Sequence, residues 1–160
     1  MPSLASDLES TFEALRRLIA SLGGRRLACY GNSGGVFPAL YYGRELKADA
    51  ILCMAGRTNH TATFNAFSPR KDTTVDFASQ FQHLELDGRR LFESHPHPPR
   101  ICSVYGQDNW EDRRHAEHMA QLPCVTLRPV ENFAEHNAVF ELIRRNEYQP
   151  LLDWLIADPG

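Results

Sequence analysis

Four short apolar runs, each ended by a glycine or a polar turn and each followed by a stretch of helical spacing, limit this chain to few folds. The runs cover residues 26–30 (RLACY), 50–55 (AILCMA), 101–105 (ICSVY) and 124–130 (CVTLRPV). Each is short for a core helix and reads as a continuous apolar strand. Helical spacing is predicted over 35–46, with Phe37, Leu40 and Tyr41 on one side, over 111–122, and over 137–156. Ahead of the first run, Leu8, Phe12, Leu15, Ile19 and Leu22 recur at intervals of three and four, and the helix they predict ends at Gly23-Gly24. Ser6 and Glu9 have the S-x-x-E form of a capping box at its start. Strands that alternate with helices, each buried on both faces, form a mainly parallel sheet flanked by helices, so the expected class is α/β.

A chain of 160 residues suits one domain over 1–160. Two Trp, five Tyr and nine Phe supply enough apolar area to fold without disulfides or a structural metal. Residues 57–99 are polar, rich in Thr, Asn, His and Pro, with only weak helical periodicity over 77–91, and are expected to form an irregular excursion or lid. Cys29, Cys53 and Cys102 sit inside apolar runs, Cys124 borders the fourth, and no C-x-x-C pair occurs, so free core thiols are expected. A net charge of −3 and scattered arginine pairs argue against nucleic acid. No apolar run approaches the roughly 18 residues of a membrane span, and the amino terminus lacks a signal-peptide pattern, so a cytoplasmic protein is expected.

One turn carries chemistry. Gly31-Asn32-Ser33-Gly34-Gly35 matches G-x-S-x-G and lies where the first strand passes directly into a helix. Glycines two residues either side of Ser33 remove the Cβ atoms that a turn this sharp would drive into its neighbours. Ser33 is thereby held clear of the sheet near a helix amino terminus, where the Gly34 N–H could donate to an oxyanion. The plainer alternative is a glycine turn with a helix-capping serine, or a phosphate-binding loop.

A serine hydroxyl at neutral pH needs a base, and the base needs an acceptor to fix its tautomer. His136 is preferred among the seven histidines because it follows the last strand and opens the final helix, at the same sheet edge as Ser33. A histidine there could also merely cap the helix. The acid is sought in the turn after the third strand, where Asp108 is nearer the strand end and Asp112 heads the next helix. The chain order Ser, Asp, His agrees with that of the α/β-hydrolases. His95 and His97 lie in a proline-stiffened stretch and His115 and His118 stand three apart on a helix without an evident third ligand, so no metal site is expected. Val139, Leu142, Ile143, Leu151, Leu152 and Leu155 read as core packing, and Trp110 and Tyr105 as candidates to line a sugar or acyl pocket.

Taken together, GNSGGVFPALYYG, ADAILCMAG, VYGQDNWEDRRHAEHM and HNAVFELIRR resemble the carboxyl-terminal part of the α/β-hydrolase fold. More narrowly they are similar to small bacterial hydrolase-like proteins of polysaccharide and glycoconjugate pathways. The resemblance implies a serine hydrolase or acyltransferase acting on a small-molecule or glycan ester without a cofactor, and it inclines the choice of acid to Asp112. A full α/β-hydrolase has several strands before the nucleophile strand, and their first crossover loop gives the second oxyanion N–H. Here that donor is expected near residues 57–60, or the chain is an inactive binding or assembly module. A shortened sheet also leaves an edge strand uncovered, which predicts a homodimer.

Overall fold

The computed structural model describes residues 7–68, 81 and 83–158. Four parallel strands, β1 (Ala28–Asn32), β2 (Ala50–Met54), β3 (Arg100–Gly106) and β4 (Val125–Val130), lie side by side in chain order, with β1 at one edge and β4 at the other. The helices are α1 (Leu8–Ser21), α2 (Val36–Glu45), the short α3 (Ala62–Asn65) and α4 (Arg90–Glu93), then α5 (Trp110–Met119), α6 (Ala138–Arg144) and α7 (Tyr148–Ile156). A single 3₁₀ turn, Ser33–Gly35, joins β1 to α2.

Strands β2 and β3 are continuous apolar runs because both of their faces are covered, whereas the edge strands β1 and β4 leave several residues exposed. Ile51, Cys53 and Ile101 pack with Val36, Ala39 and Leu40 of α2 and Met119 of α5 on one side. Leu52, Met54, Cys102 and Val104 pack with Ala138 and Leu142 of α6 and Leu151 and Leu155 of α7 on the other. All five residues of β2 are buried, and full burial of Ile51, Leu52 and Met54 contributes about 1.5–3 kcal/mol each. Phe12 anchors α1 against the Tyr42 ring, 4.9 Å between centroids. The four cysteines are free thiols, and burial pushes that of Cys102 up to about 11.

Several expectations need correction. Strand β1 does not stop at Gly31 but runs through it to Asn32. A Cβ on Gly31 would lie 2.3 Å from the Gly35 carbonyl oxygen and 2.8 Å from the Ala39 Cβ, so glycine here lets α2 close onto the strand. Helix α1 is capped by Asp7, whose side chain accepts from the Ser10 N–H, while Ser6 lies outside the described residues. The predicted helix over 137–156 is two helices. Asn146 takes a left-handed φ of 59°, and the Glu147 N–H donates to the Leu142 carbonyl while that of Asn146 donates to Ile143, which ends α6 in a Schellman motif. That break turns Ile143 outward, 51% exposed, rather than into the core. Within the excursion, residues 69–80 and 82 lie outside the described residues, and 83–89 are not helical. The rest is tied down by the α3 and α4 turns and by an antiparallel bridge between Asn59 and Asp87.

Candidate active site

The nucleophile turn starts from backbone geometry. Ser33 has φ +52°, a left-handed conformation that a residue with a Cβ seldom adopts and that is held only where its surroundings fix it. The turn is fixed on two sides. Gly31 admits α2, as above, and Gly56, two residues beyond β2, lies so close that a Cβ there would be 2.2 Å from the Ser33 carbonyl oxygen. That carbonyl is further occupied by the Val36 N–H.

His136 arrives from the loop after β4 for a comparable reason. Gly106, the last residue of β3, has no Cβ, and one placed there would meet the Phe133 carbonyl oxygen at 2.6 Å and that of Glu135 at 3.2 Å. The loop over 131–137 can therefore lie down on the end of β3, where Phe133 accepts from the Asp108 N–H at 3.0 Å. Asn132, at φ +53°, turns the chain out of β4. These contacts leave the imidazole at the carboxyl edge of the sheet, beside Ser33.

The two separations that matter are short. Ser33 Oγ is 2.7 Å from His136 Nε2, and His136 Nδ1 is 2.9 and 3.0 Å from the two carboxylate oxygens of Asp112. An ionised carboxylate only accepts, so Nδ1 carries the ring proton and Nε2 presents its lone pair to the Ser33 hydroxyl. Asp112 is 4% exposed. Its neighbour in the turn, Asp108, is exposed and meets the His136 loop through its backbone N–H. Of the two candidate acids, the structure brings Asp112 to the imidazole.

Asp112 does not cap its own helix. Asn109 does, with its side-chain oxygen accepting from the Asp112 N–H at 3.0 Å, while the Asp112 carboxylate faces His136. The spacing Asn109-x-x-Asp112 was the available sequence signal for this cap. Trp110 is 47% exposed and lies 5.7 Å from the Arg114 guanidinium, whereas Tyr105 is buried in β3.

Other parts of the site carried no sequence signal. The side chains of Glu111, Arg57 and Ser68 meet beside Asp112: Ser68 donates to Glu111 at 2.7 Å and Arg57 donates to it at 3.2 Å. One turn further along α5, His115 Nδ1 accepts from the Thr58 N–H at 3.2 Å, and the Thr58 hydroxyl donates to the His115 carbonyl at 2.9 Å. Burial first, then the nearby Arg57, His60, Arg114 and His118, lower the His115 pKa to about 3, so this imidazole is neutral. His118 is hydrogen-bonded to Asp87 at 2.7 Å. Helix α5 is thus fastened along its length to the excursion. Of the backbone donors over 57–60, the Thr58 N–H is committed to His115 and that of His60 to the Leu86 carbonyl.

No family model matches the chain, and no curated protein matches it in sequence. Solved structures do resemble it in shape. A Mycobacterium tuberculosis protein provisionally classed as the non-heme bromoperoxidase BpoC superposes with a TM-score of 0.52 at 14% identity, over 91% of this chain and 73% of that one. The monoacylglycerol lipase of Paleococcus ferrophilus gives 0.51, also at 14% identity, over 92% of this chain and 74% of that one. Among the described residues no helix is long and apolar enough to cross a membrane. With its parallel sheet, its strand-to-helix elbow and these two likenesses, the chain has an α/β-hydrolase-like fold.

Proposed function

We propose that the protein is a serine hydrolase or acyltransferase that acts on an ester through Ser33, His136 and Asp112. The observation that supports this most directly is the unbroken chain of short contacts from the Ser33 hydroxyl through both nitrogens of His136 to Asp112. In this reading His136 Nε2 takes the hydroxyl proton as Ser33 Oγ attacks the ester carbonyl, and Asp112 stabilises the imidazolium that forms. The Gly34 N–H, in the first turn after the nucleophile, donates to the oxyanion. The imidazolium then returns its proton to the departing alcohol. Water or a second hydroxyl, activated by the same imidazole, releases the acyl group from Ser33. A glycan O-acyl ester is the substrate class suggested by the sequence resemblance.

A second reading, a non-catalytic binding or assembly module, is favoured by one observation. Strand β1, which leads into the turn at Ser33, pairs only with β2 among the described residues, so no strand on its other side stands ready to supply a second oxyanion donor. A fluorophosphonate probe separates the two. Labelling of the wild type and not of Ser33→Ala supports the enzyme. A folded wild-type protein that stays unlabelled supports the module and ends the hydrolase reading.

A further inference from the structure

Asp112 is not the only carboxylate buried at the start of α5. Glu111 precedes it and is 6% exposed, against 4% for Asp112. Two adjoining carboxylates withdrawn from water raise the energy of the doubly ionised state. Glu111 accepts from Arg57 Nη2 at 3.2 Å and from the Ser68 hydroxyl at 2.7 Å, on the same oxygen. Arg57 in turn is placed by the loop that follows β2, one residue past Gly56, which presses on the Ser33 carbonyl. The loop that seats the nucleophile therefore also brings a cation to the helix that holds the acid.

Among the described residues, the other charged groups beside the site are exposed, partly exposed or neutral. On α5, Arg113 and Glu117 are exposed, and Arg114 lies over the Phe64 ring at 3.9 Å. His115 is neutral, as above. From the loops after β3 and β4, Asp108, Glu131 and Glu135 are exposed, where solvent screens them.

We propose that Arg57 sets the charge balance of the triad: its guanidinium offsets Glu111, so that the His136 imidazole responds to Asp112 rather than to two buried carboxylates. This inference rests on the reading of Ser33, His136 and Asp112 as a working triad. Arg57 touches neither reacting atom and is a positioning residue. Without its charge, the added negative field favours the imidazolium, and a higher pH is needed to free the base that activates Ser33. The planar guanidinium meets Ser68 as well as Glu111, which suits Arg to the position.

The test is the pH dependence of the fluorophosphonate labelling rate in the full chain. The rate should rise with pH as His136 loses its proton. Arg57→Gln should displace that limb upward by about half a unit or more, and Arg57→Lys should return it most of the way. Removing both charges, in Arg57→Gln with Glu111→Gln, should restore the wild-type limb. A structural role alone would lower the rate at every pH, leave the limb in place, and gain nothing from the second substitution. A folded Arg57→Gln protein with an unmoved limb, or a double variant displaced as far as the single one, overturns the proposal. Should Arg57→Gln fail to fold, Glu111→Gln must move the limb downward, and an unmoved limb there overturns it too. Labelling of the wild type and not of Ser33→Ala keeps the triad reading intact whichever way Arg57 falls, whereas no wild-type labelling overturns both.

Discussion

Gly56→Ala is the substitution whose outcome the geometry determines most tightly. The added Cβ would lie 2.2 Å from the Ser33 carbonyl oxygen, 2.6 Å from Val36 Cγ2 and 2.8 Å from Val36 Cβ. Ordinary contact begins near 3.4 Å, so either the nucleophile turn or the end of β2 must retreat by about 1 Å. Neither retreat is easy, since Val36 is fully buried and Gly31 admits no slack on the other side of the turn. Overpacking of this kind costs about 1–3 kcal/mol, which for a chain of this size lowers the melting temperature by about 2–10 °C. The chemical cost is separate, because a nucleophile displaced by about 1 Å from its base loses on the order of 100-fold in rate. Urea titration measures the first effect and the fluorophosphonate rate constant the second. Gly24→Ala, whose new atom would have its nearest neighbour at 3.9 Å, controls for the loss of a glycine as such. A Gly56→Ala protein with an unchanged urea midpoint and an unchanged labelling rate would refute the account of how the turn is seated.

Two further outcomes follow from the same coordinates. Asp112→Asn should lower the labelling rate by about 10³- to 10⁴-fold, because an amide can hold the imidazole in the wrong tautomer, while Asp108→Asn should stay within a few-fold of wild type; equal losses would remove the assignment of Asp112. His115 is neutral in the fold with a pKa lowered to about 3 against 6.5 when unfolded, so the unfolded chain binds the extra proton between those values. The stability this group contributes is therefore complete above pH 6.5 and is lost as pH falls towards 3, with a steepest slope of about 1.4 kcal/mol per pH unit. His115→Gln should flatten the stability profile across that window, as read by urea titration at successive pH values, and parallel profiles for the two proteins would show that the imidazole does not titrate as described.

What the sequence discloses tracks how local each cause is. Strands β2 and β3 are legible because Leu52, Met54, Cys102 and Val104 must be apolar against α6 and α7 on one face, and Ile51, Cys53 and Ile101 against α2 and α5 on the other. The nucleophile turn is legible because its glycines lie within two residues of Ser33. The choice between Asp108 and Asp112 was not, since it turns on whether Asn109 caps α5, and a carboxylate at Asp112 could have served as the cap itself. The break between α6 and α7 was missed because Leu142, Leu151 and Leu155 keep apolar character across it, and only the left-handed Asn146 marks the stop. Least legible is the Arg57, Ser68 and Glu111 cluster, whose members are 11 to 54 residues apart and individually resemble surface residues.

That ordering bears on where this fold can be altered. Ser33, Asp112 and His136 follow β1, β3 and β4 respectively, which share one sheet and are held in register by parallel pairing from Ala28 to Val130. Substitutions in the excursion can release α5, because Thr58 and Asp87 hold the helix from outside the sheet. Asp112 stands on that helix. Loosening the excursion should consequently disturb the contact between His136 and Asp112 before it disturbs that between Ser33 and His136, since the latter pair is seated by Gly56 and Gly106 at the strand ends. The excursion therefore bears on the placement of Asp112, and the strand ends bear on that of Ser33 and His136.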